Sequence, residues 1–465
     1  MESEGYTAAE QRGLLLATSI GTLCTPLMST MMNLALVHIG SEFGVGSRDL
    51  AMVNTIFLLA SVAAMVPAAR LASLYGMKKV FASGLIVMMV CALLAVFSPS
   101  FTFLLLMRFL LGVGSACVIV TGIAMVTYVF PLSRRGWAIG VNTTSVYLGL
   151  ALGPTVGGIL SDAAGWRSLF VAVIVIAGLA LVGLLLFRRE VVPTPGGRMD
   201  WPGAALWAAT ILVLMYGVIN VTYVWGPVLV VIGLVLLLIT SRYLARRDQP
   251  VLETKIFHNR LFSRSCIAAF MNYAVCYAGS FFQALYLQSI GDLTATEAGL
   301  LMLVQPAVQV LLTARFGALS DRLSDKRLLP TAGMAVTAAG AALFLCYGTV
   351  CSFPLVVFQM VLLGLGIALF SAPNTTVIMS SVPLELRGEA SGMVAVVRQT
   401  GMMIAMGIAM ACIAVIMGST DNLGPAMYGM FVTTIRLTFA ISLVLAVIGA
   451  IASWARGGDP LADKP

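Results

Sequence analysis

Residues 110–114 read Leu-Leu-Gly-Val-Gly, and residues 362–366 read Leu-Leu-Gly-Leu-Gly. The same offset of 252 residues aligns Arg135-Gly136 with Arg387-Gly388. One register therefore holds across a glycine-containing apolar segment and the loop that follows it. This match predicts that the two halves of the chain are structural repeats, with Arg135 and Arg387 in equivalent positions.

The sequence around these repeats is strongly apolar. The 465 residues are 60% apolar and 10% charged, with a mean hydropathy of +1.00. This composition excludes a water-soluble enzyme, because soluble proteins are about one-quarter charged. It also excludes a disordered chain, because disorder requires low hydrophobicity. About 20 apolar residues cross a bilayer as one helix, which pairs its own backbone groups. The sequence predicts fourteen such helices, at residues 14–37, 51–72, 80–97, 101–128, 137–160, 167–187, 203–221, 225–244, 264–289, 297–319, 328–348, 353–380, 390–417 and 430–455.

Basic residues gather in alternate loops, which predicts the orientation of the helices. One set of alternate loops holds most of the lysines and arginines, including Lys78, Arg134 and Arg322. The opposite set holds only a few, including Arg48 and Arg167. The positive-inside rule then places both termini in the cytoplasm. We expect the protein to lie in the plasma membrane. The net charge of +8 is spread over these loops, so we do not expect nucleic-acid binding. The cysteine spacing matches no metal site, and we expect no cofactor.

Two loops between predicted helices carry related motifs. Gly317-x-Leu319-Ser320-Asp321-Arg322 joins helices ten and eleven, and a weaker copy with Gly76 and Lys78 joins helices two and three. We expect a tight helix contact at the glycine, beside a carboxylate–arginine network. Such a network holds one conformation closed and breaks in another, so Asp321 and Arg322 are candidate gating residues.

The fifth predicted helix carries a glycine–proline string. Gly149, Gly153, Pro154, Gly157 and Gly158 form the pattern Gly-x-x-x-Gly-Pro-x-x-Gly-Gly. Glycines four residues apart let helix backbones approach closely, and proline favours a bend. The string therefore predicts a close contact with a neighbouring helix.

Together these motifs resemble the major facilitator superfamily, and within it the fourteen-helix drug:proton antiporter branch. The resemblance covers essentially the whole chain and includes Arg398-Gln399-x-Gly401 in helix thirteen. It implies an all-α polytopic fold of two six-helix bundles, at residues 1–190 and 263–465, with linkers and an extra helix pair at residues 191–262. It also implies alternating-access efflux of small amphipathic or hydrophobic compounds, with the Gly153-Pro154 string as the antiporter signature. The implied partners are a small-molecule substrate, the lipid bilayer and protons, and we expect a monomer.

The sequence departs from this pattern where the family has its coupling groups. Met28 stands at the usual aspartate of helix one, and Met52 and Phe57 replace the usual tryptophan and tyrosine of helix two. The nearest acids to the predicted spans are Asp162 and Glu297, at outer helix ends. A proton carrier must titrate in a partly dry site. We therefore expect either that Asp162 or Glu297 carries the proton, with Glu297 the better candidate, or that the protein is a facilitator or exchanger.

The charges predicted inside the membrane are positive. For Arg108 we expect hydrogen bonds to backbone carbonyls of helix one, while Arg398 is either structural or faces substrate. Guanidinium binds carboxylate through two parallel hydrogen bonds, so a uniporter or exchanger of an organic anion is one alternative function.

A second alternative function is a flippase for a lipid or lipid-linked molecule, since the same architecture serves it. An intramembrane enzyme is not expected, because the sequence lacks the HExxH and GxSxG motifs. The remaining polar candidates for a substrate cavity are Asn33, Asn142, Gln283, Gln305, Gln309 and Asn374.

Overall fold

The structure is a computed structural model that describes residues 6–45, 47–187, 189–191, 197–221, 223–247, 250–252, 254–323, 325–383, 386–418 and 425–456. Regular structure in these residues is entirely helical, and fourteen spans are long and apolar enough to cross a membrane. The predicted all-α polytopic fold is confirmed. The helices are α1 (Ala8–Phe43), α2 (Ser47–Tyr75), α3 (Met77–Val96), α4 (Phe101–Val129), α5 (Leu132–Ala164), α6 (Ser168–Leu186), α7 (Trp201–Ile219), α8 (Trp225–Ala245), α9 (Arg260–Ser289), α10 (Ala295–Met302), α11 (Val304–Arg322), α12 (Leu328–Ala342), α13 (Phe353–Ser380), α14 (Arg387–Ile416) and α15 (Tyr428–Trp454).

The tenth span consists of two helices, α10 and α11, that meet at Leu303. The Leu303 N–H bonds the Leu300 carbonyl oxygen at 3.2 Å, which is the tighter i→i−3 spacing. Pro306 follows three residues later and has no N–H to donate to the preceding turn. A missing donor interrupts the α-helical ladder locally. The span therefore remains one membrane crossing with a break near its start.

The first compact unit comprises Met1–Leu212, Leu236–Thr254 and Pro383–Val396. In this unit, α1 packs on α5 and α6, and α4 packs on α2 and α3. Its largest fully buried side chains include Phe57, Phe81, Phe170 and Arg108.

The second unit comprises Val213–Val235, Lys255–Val382 and Val397–Pro465. Here α13 packs on α11 and α12, while α15 packs on α9 and α12. The rings of Phe344 and Phe439 stack in its core with centroids 3.5 Å apart. The three-part division expected from the sequence, at residues 190 and 262, stays a prediction.

The two units use matched glycines in the same way. A Cβ added to Gly112 of α4 would meet the backbone of α2, and one added to Gly114 would meet the backbone of α3. In the second unit, a Cβ on Gly364 of α13 would meet the backbone of α11, and one on Gly366 would meet that of α12. The 252-residue offset in sequence therefore corresponds to a repeated packing arrangement.

The helices α7 and α8 follow the first repeat in the sequence and precede the second. The Thr210 and Thr240 hydroxyl oxygens lie 2.7 Å apart, and a Cβ on Gly217 would stand 2.7 Å from the Val230 nitrogen. The pair is therefore a closely packed hairpin with a hydroxyl hydrogen bond along its length.

Candidate functional site

Glycines of α5 lie directly against α1. A Cβ added to Gly149 would stand 2.5 Å from the Leu23 carbonyl oxygen, and one added to Gly157 would stand 2.7 Å from the Met31 Cα. Such distances leave no room for a side chain in a close-packed interior. We call these contacts, with Gly153 between them, the α1–α5 seam. The spacing of four residues puts all three glycines on the face that meets α1.

Thr30 and two prolines shape the middle of the α1–α5 seam. A Cβ added to Gly153 would collide with the Thr30 side chain, whose Oγ1 donates to the Pro26 carbonyl oxygen at 3.0 Å. Pro26 lies inside α1 and Pro154 lies inside α5. Each proline removes one helical hydrogen bond, and Gly158 is buried next to Gly157. The seam therefore joins two helices whose backbones are both interrupted.

The methionine and asparagine candidates for a substrate cavity in the first unit differ in their burial and hydrogen bonding. Met28 of α1 is 1% exposed, so a buried thioether stands at the position where the family usually has an aspartate. Met52 of α2 is half-buried. Asn142 is fully buried, and its Nδ2 donates to the Thr22 Oγ1 of α1 at 3.2 Å. Its Oδ1 has no hydrogen-bond partner among the described residues. The Asn33 side chain lies outside the described part of the chain.

Arg108 joins α4 to α2. The side chain is fully buried, its Nε donates to the Val53 carbonyl oxygen at 3.0 Å, and its NH2 donates to the Asn54 Oδ1 at 2.9 Å. Its guanidinium lies 4.6 Å from the centroid of the Phe57 ring. We expected acceptors on helix one, whereas these two acceptors lie on α2, because Gly112 brings α4 onto α2. Such bonds compensate for the cost of burying a charge.

In the second unit, the candidate glutamines are buried in helix contacts. The Gln283 Nε2 of α9 donates to the Gln359 Oε1 of α13, and the Tyr347 hydroxyl donates to the same oxygen at 3.2 Å. Gln305 and Gln309 are buried in α11. Gln283 therefore ties α9 to α13 in this structure, which is the interhelical role that amides often have in membrane proteins.

Asn374 takes part in a network that the sequence did not reveal. The Asn374 Nδ2 donates to the Ser265 carbonyl oxygen at 3.1 Å, and its Oδ1 accepts from the Arg456 NH1 at 2.8 Å. The Arg456 NH2 donates to the Lys326 carbonyl oxygen at 3.1 Å. Burial lowers the pKa of Arg456 to about 10, so the guanidinium remains charged at neutral pH. Arg456 lies just beyond the last predicted span, where a lone arginine looks like a charge of the tail.

Two further arginines lie inside candidate spans without a described partner. Arg398 of α14 is half-buried, and Arg315 of α11 is exposed. Neither side chain makes a hydrogen bond or ion pair with any residue that the structure describes. Arg315 was not among the arginines expected inside the membrane, although it lies within the predicted span 297–319. A charge in a membrane helix is costly unless it is paired or hydrated, so both are candidates for contact with a charged ligand.

A carboxylate reaches the loop between α2 and α3 from a distant part of the chain. The Glu190 Oε1 accepts the Lys78 backbone N–H at 2.8 Å, and the Lys78 Nζ donates to the Phe187 carbonyl oxygen. Gly76 has φ +113°, and a Cβ there would stand 2.5 Å from the Glu190 Cδ. We call Gly76, Lys78 and Glu190 the Glu190 clasp. Glu190 therefore brings a carboxylate to a loop whose own motif residues, Gly76 and Lys78, supply none.

In the second loop motif, the space around the glycine is less crowded than at Gly76. A Cβ on Gly317 would lie 3.6 Å from the Ala372 Cβ, which is ordinary van der Waals contact. The expectation of a tight, glycine-dependent contact was therefore wrong at Gly317, because the neighbouring helix leaves room for a methyl group. The side chains of Asp321, Arg322, Arg135 and Arg387 lie outside the described part of the chain.

Arg167 pairs with Glu42. The Glu42 Oε1 accepts from the Arg167 NH2 at 2.6 Å, and the Glu42 Oε2 accepts from the Trp166 Nε1 at 2.7 Å. Hydrogen bonds from Arg167, and then the one from Trp166, lower the pKa of Glu42 to about 2. The Asp162 side chain lies outside the described part of the chain.

The acidic residues within the fourteen candidate spans are Glu10 and Glu297, and both cap helices. The Glu297 Oε2 accepts from the Thr294 N–H at 2.9 Å, in a reciprocal capping box, and Glu10 forms the same box with Thr7. Both carboxylates sit in the first turn of their helices. A capping box occupies the carboxylate with backbone and hydroxyl donors, so it gives Glu297 a structural role.

Comparisons with known proteins place these features in a family. The model of the Major Facilitator Superfamily matches residues 18–406 and, again, residues 266–465. The riboflavin transporter RibZ of Clostridioides difficile is 27% identical over 398 residues, which cover 83% of this chain and 84% of that protein. The multidrug resistance protein Stp of Mycobacterium tuberculosis is 28% identical over 415 residues, which cover 87% of this chain and 76% of that protein.

A solved structure shows the same fold. It is the crystal structure of a bacterial homologue of the human lysosomal transporter Spinster, in an inward-facing and unoccupied conformation. The TM-score is 0.64 at 16% identity, over 97% of this chain and 98% of that one. At this identity the likeness establishes the fold alone.

Proposed function

Because the chain belongs to the major facilitator superfamily and is a multi-pass secondary transporter, we propose that it exports small amphipathic or hydrophobic compounds by alternating access. The α1–α5 seam carries this proposal. Its glycine–proline string is the one that characterises the antiporter branch, and in this chain the string is built into a backbone-to-backbone contact. The multidrug resistance protein Stp is a relative along most of the chain.

We place the coupling step outside the usual helix-one position. Met28 cannot titrate, and the acids of the spans, Glu10 and Glu297, are engaged as helix caps. Transport in this proposal does not depend on a carboxylate within the spans. Asp162, just beyond the end of the fifth span, remains the candidate carrier if protons drive export, and the alternative is a facilitator or exchanger.

A second function is favoured by Arg315 and Arg398, which lie inside candidate spans without a described partner. Arg315 and Arg398 would suit a substrate with a carboxylate, because guanidinium forms two parallel hydrogen bonds with that group. In this version of the proposal, the protein is a uniporter or exchanger of an organic anion.

The membrane setting completes the proposal. We place the protein in the plasma membrane as a monomer, with both termini in the cytoplasm, since the loops rich in lysine and arginine then lie inside.

Transport assays in proteoliposomes test the two functions against each other. The panel contains cationic, neutral and carboxylate-bearing amphipathic compounds, each measured with and without an imposed pH gradient. Export is supported if cationic or neutral compounds cross faster than in protein-free vesicles. If only the carboxylate-bearing compounds are transported, and Arg398→Gln abolishes their transport, the organic-anion function replaces the export function. Arg436→Gln is the matched control, because Arg436 is exposed and bonds the Tyr347 carbonyl oxygen.

A further inference from the structure

The helix α8 exposes a long apolar face. Val228, Val231, Val235 and Leu238 are 56%, 61%, 50% and 60% exposed. Their spacing of three to four residues places them along the same side of the helix. Because α8 is a candidate membrane span, the natural environment of this face is lipid.

The apolar face ends in a cluster of cations. Arg242, Tyr243, Arg246 and Arg247 line one groove of about 470 Å³, together with Ile239. We call these residues the α8 arginine patch. All three arginines are exposed. The patch therefore lies where a lipid-facing helix leaves the hydrocarbon layer, and Ile239 connects it to the apolar face.

Part of the patch is already ordered. The Arg247 NH2 donates to the Tyr243 hydroxyl oxygen at 2.6 Å, and the Tyr243 hydroxyl donates to the Asp200 Oδ1 at 3.2 Å. The Arg247 guanidinium lies 4.7 Å from the centroid of the Tyr243 ring. These contacts hold Arg247 beside the groove and bring the Asp200 carboxylate to the Tyr243 hydroxyl. The described residues that line the groove include three guanidinium groups and no carboxylate.

The other two arginines are available for a ligand. Neither Arg242 nor Arg246 makes a hydrogen bond or ion pair within the described part of the chain. Both lie near the C-terminal end of α8, where a cation gains some stabilisation from the helix dipole. That effect accounts for positive charge in the last turn, but it does not require three guanidinium groups around one groove.

We propose that the α8 arginine patch binds the phosphate of an anionic phospholipid. The groove offers guanidinium donors, which suit phosphate oxygens, directly beside side chains that suit acyl chains. A free phosphate ion would use the arginines and leave Ile239 and the apolar face without a role. The positive-inside rule places the patch at the cytoplasmic leaflet, where anionic lipids attract basic residues close to a span. Binding there would fix the extra helix pair in the bilayer.

Native mass spectrometry of the full-length protein tests the proposal, with phosphatidylglycerol and phosphatidylcholine titrated in separate series. In the variant Arg242→Gln/Arg246→Gln/Arg247→Gln, we expect roughly tenfold weaker phosphatidylglycerol binding, because each arginine contributes to attraction of anionic lipid. Phosphatidylcholine binding should not change. The matched control, Arg134→Gln/Arg260→Gln/Arg264→Gln, removes the same charge elsewhere and should retain binding of phosphatidylglycerol.

Two results would overturn the assignment. Equal losses in the patch variant and the control would show that net charge alone attracts the lipid. Displacement of phosphatidylglycerol by an equal concentration of inorganic phosphate would show a site for a free anion. Arg246→Gln alone is the second variant, since this exposed side chain has no described bond to lose. It should weaken phosphatidylglycerol binding while the protein remains monodisperse, and unchanged binding in this variant would also count against the patch.

Discussion

The guanidinium of Arg167 and the carboxylate of Glu42 form a bidentate pair, with NH1–Oε2 and NH2–Oε1 distances of 2.7 and 2.6 Å. The Trp166 indole N–H completes the set of donors to Glu42. The pair joins the end of α1 to the residues that precede α6. Position 42 and position 167 are far apart in sequence, so the contact is a product of the folded bundle.

Glu42→Gln should lower stability by about 1 kcal/mol at neutral pH, because the pair is partly exposed and screened by water. The pKa of Glu42 is about 2 in the folded protein, below the value of about 4.3 for an unperturbed glutamate. The stabilisation is therefore fully present above the unfolded pKa and is lost as pH falls towards the folded value. Thermal unfolding in detergent at a series of pH values measures this.

The difference in melting temperature between wild type and Glu42→Gln should narrow as pH falls from neutral to strongly acidic. Asp292→Asn is the control, since Asp292 is an exposed acid in a left-handed conformation that asparagine also tolerates. A difference that stays constant with pH would show that Glu42 does not act through its charge.

Gly157→Ala should destabilise the protein by about 1–3 kcal/mol, because the new methyl group meets the Met31 backbone, which cannot rotate away. Gly140→Ala lies on the same helix, and an added Cβ there meets nothing within 4 Å. That variant should keep wild-type stability or gain slightly, since alanine favours helix. Melting temperature and transport rate should both fall in Gly157→Ala alone. Equal behaviour of the two variants would contradict the account of the α1–α5 seam.

Gly76→Ala should reduce stability for two reasons, the φ of +113° and the contact with Glu190. Such strain at a left-handed position costs of order 1–3 kcal/mol. Adding Glu190→Ala to Gly76→Ala removes the collision but leaves the strained φ, so the double variant should recover part of the lost melting temperature. If the loss of melting temperature in the double variant equals the sum of the losses in the two single variants, the collision with Glu190 does not cause the instability of Gly76→Ala.

The helices could be predicted well from the sequence, and the pairing of polar groups could not. The predicted span 353–380 has the bounds of α13, because a long apolar run in lipid has one backbone solution. The break at Leu303 was missed, although Pro306 was visible as its cause. The spans could be predicted because they depend on local composition, which can be read directly from the sequence.

Partners of charged side chains depend on which helices touch. Arg108 bonds two acceptors on α2, and Arg456 bonds Asn374 within the second unit. Glu190, in the segment that follows α6, bonds the loop between α2 and α3. None of these pairs has a local sequence pattern, so they became visible only with the packing of the helices.

The most direct test of the account is substrate transport by Glu10→Gln/Glu297→Gln in proteoliposomes, at the same folded fraction as wild type. Glu10 and Glu297 are the carboxylates of the fourteen spans, and both belong to capping boxes. Glutamine keeps an oxygen that accepts the N-cap N–H, so each substitution should cost less than about 1 kcal/mol of stability. No transported proton is removed, so we predict a transport rate within about twofold of wild type. Loss of transport in a correctly folded double variant would contradict the claim that this transporter works without a carboxylate in its spans.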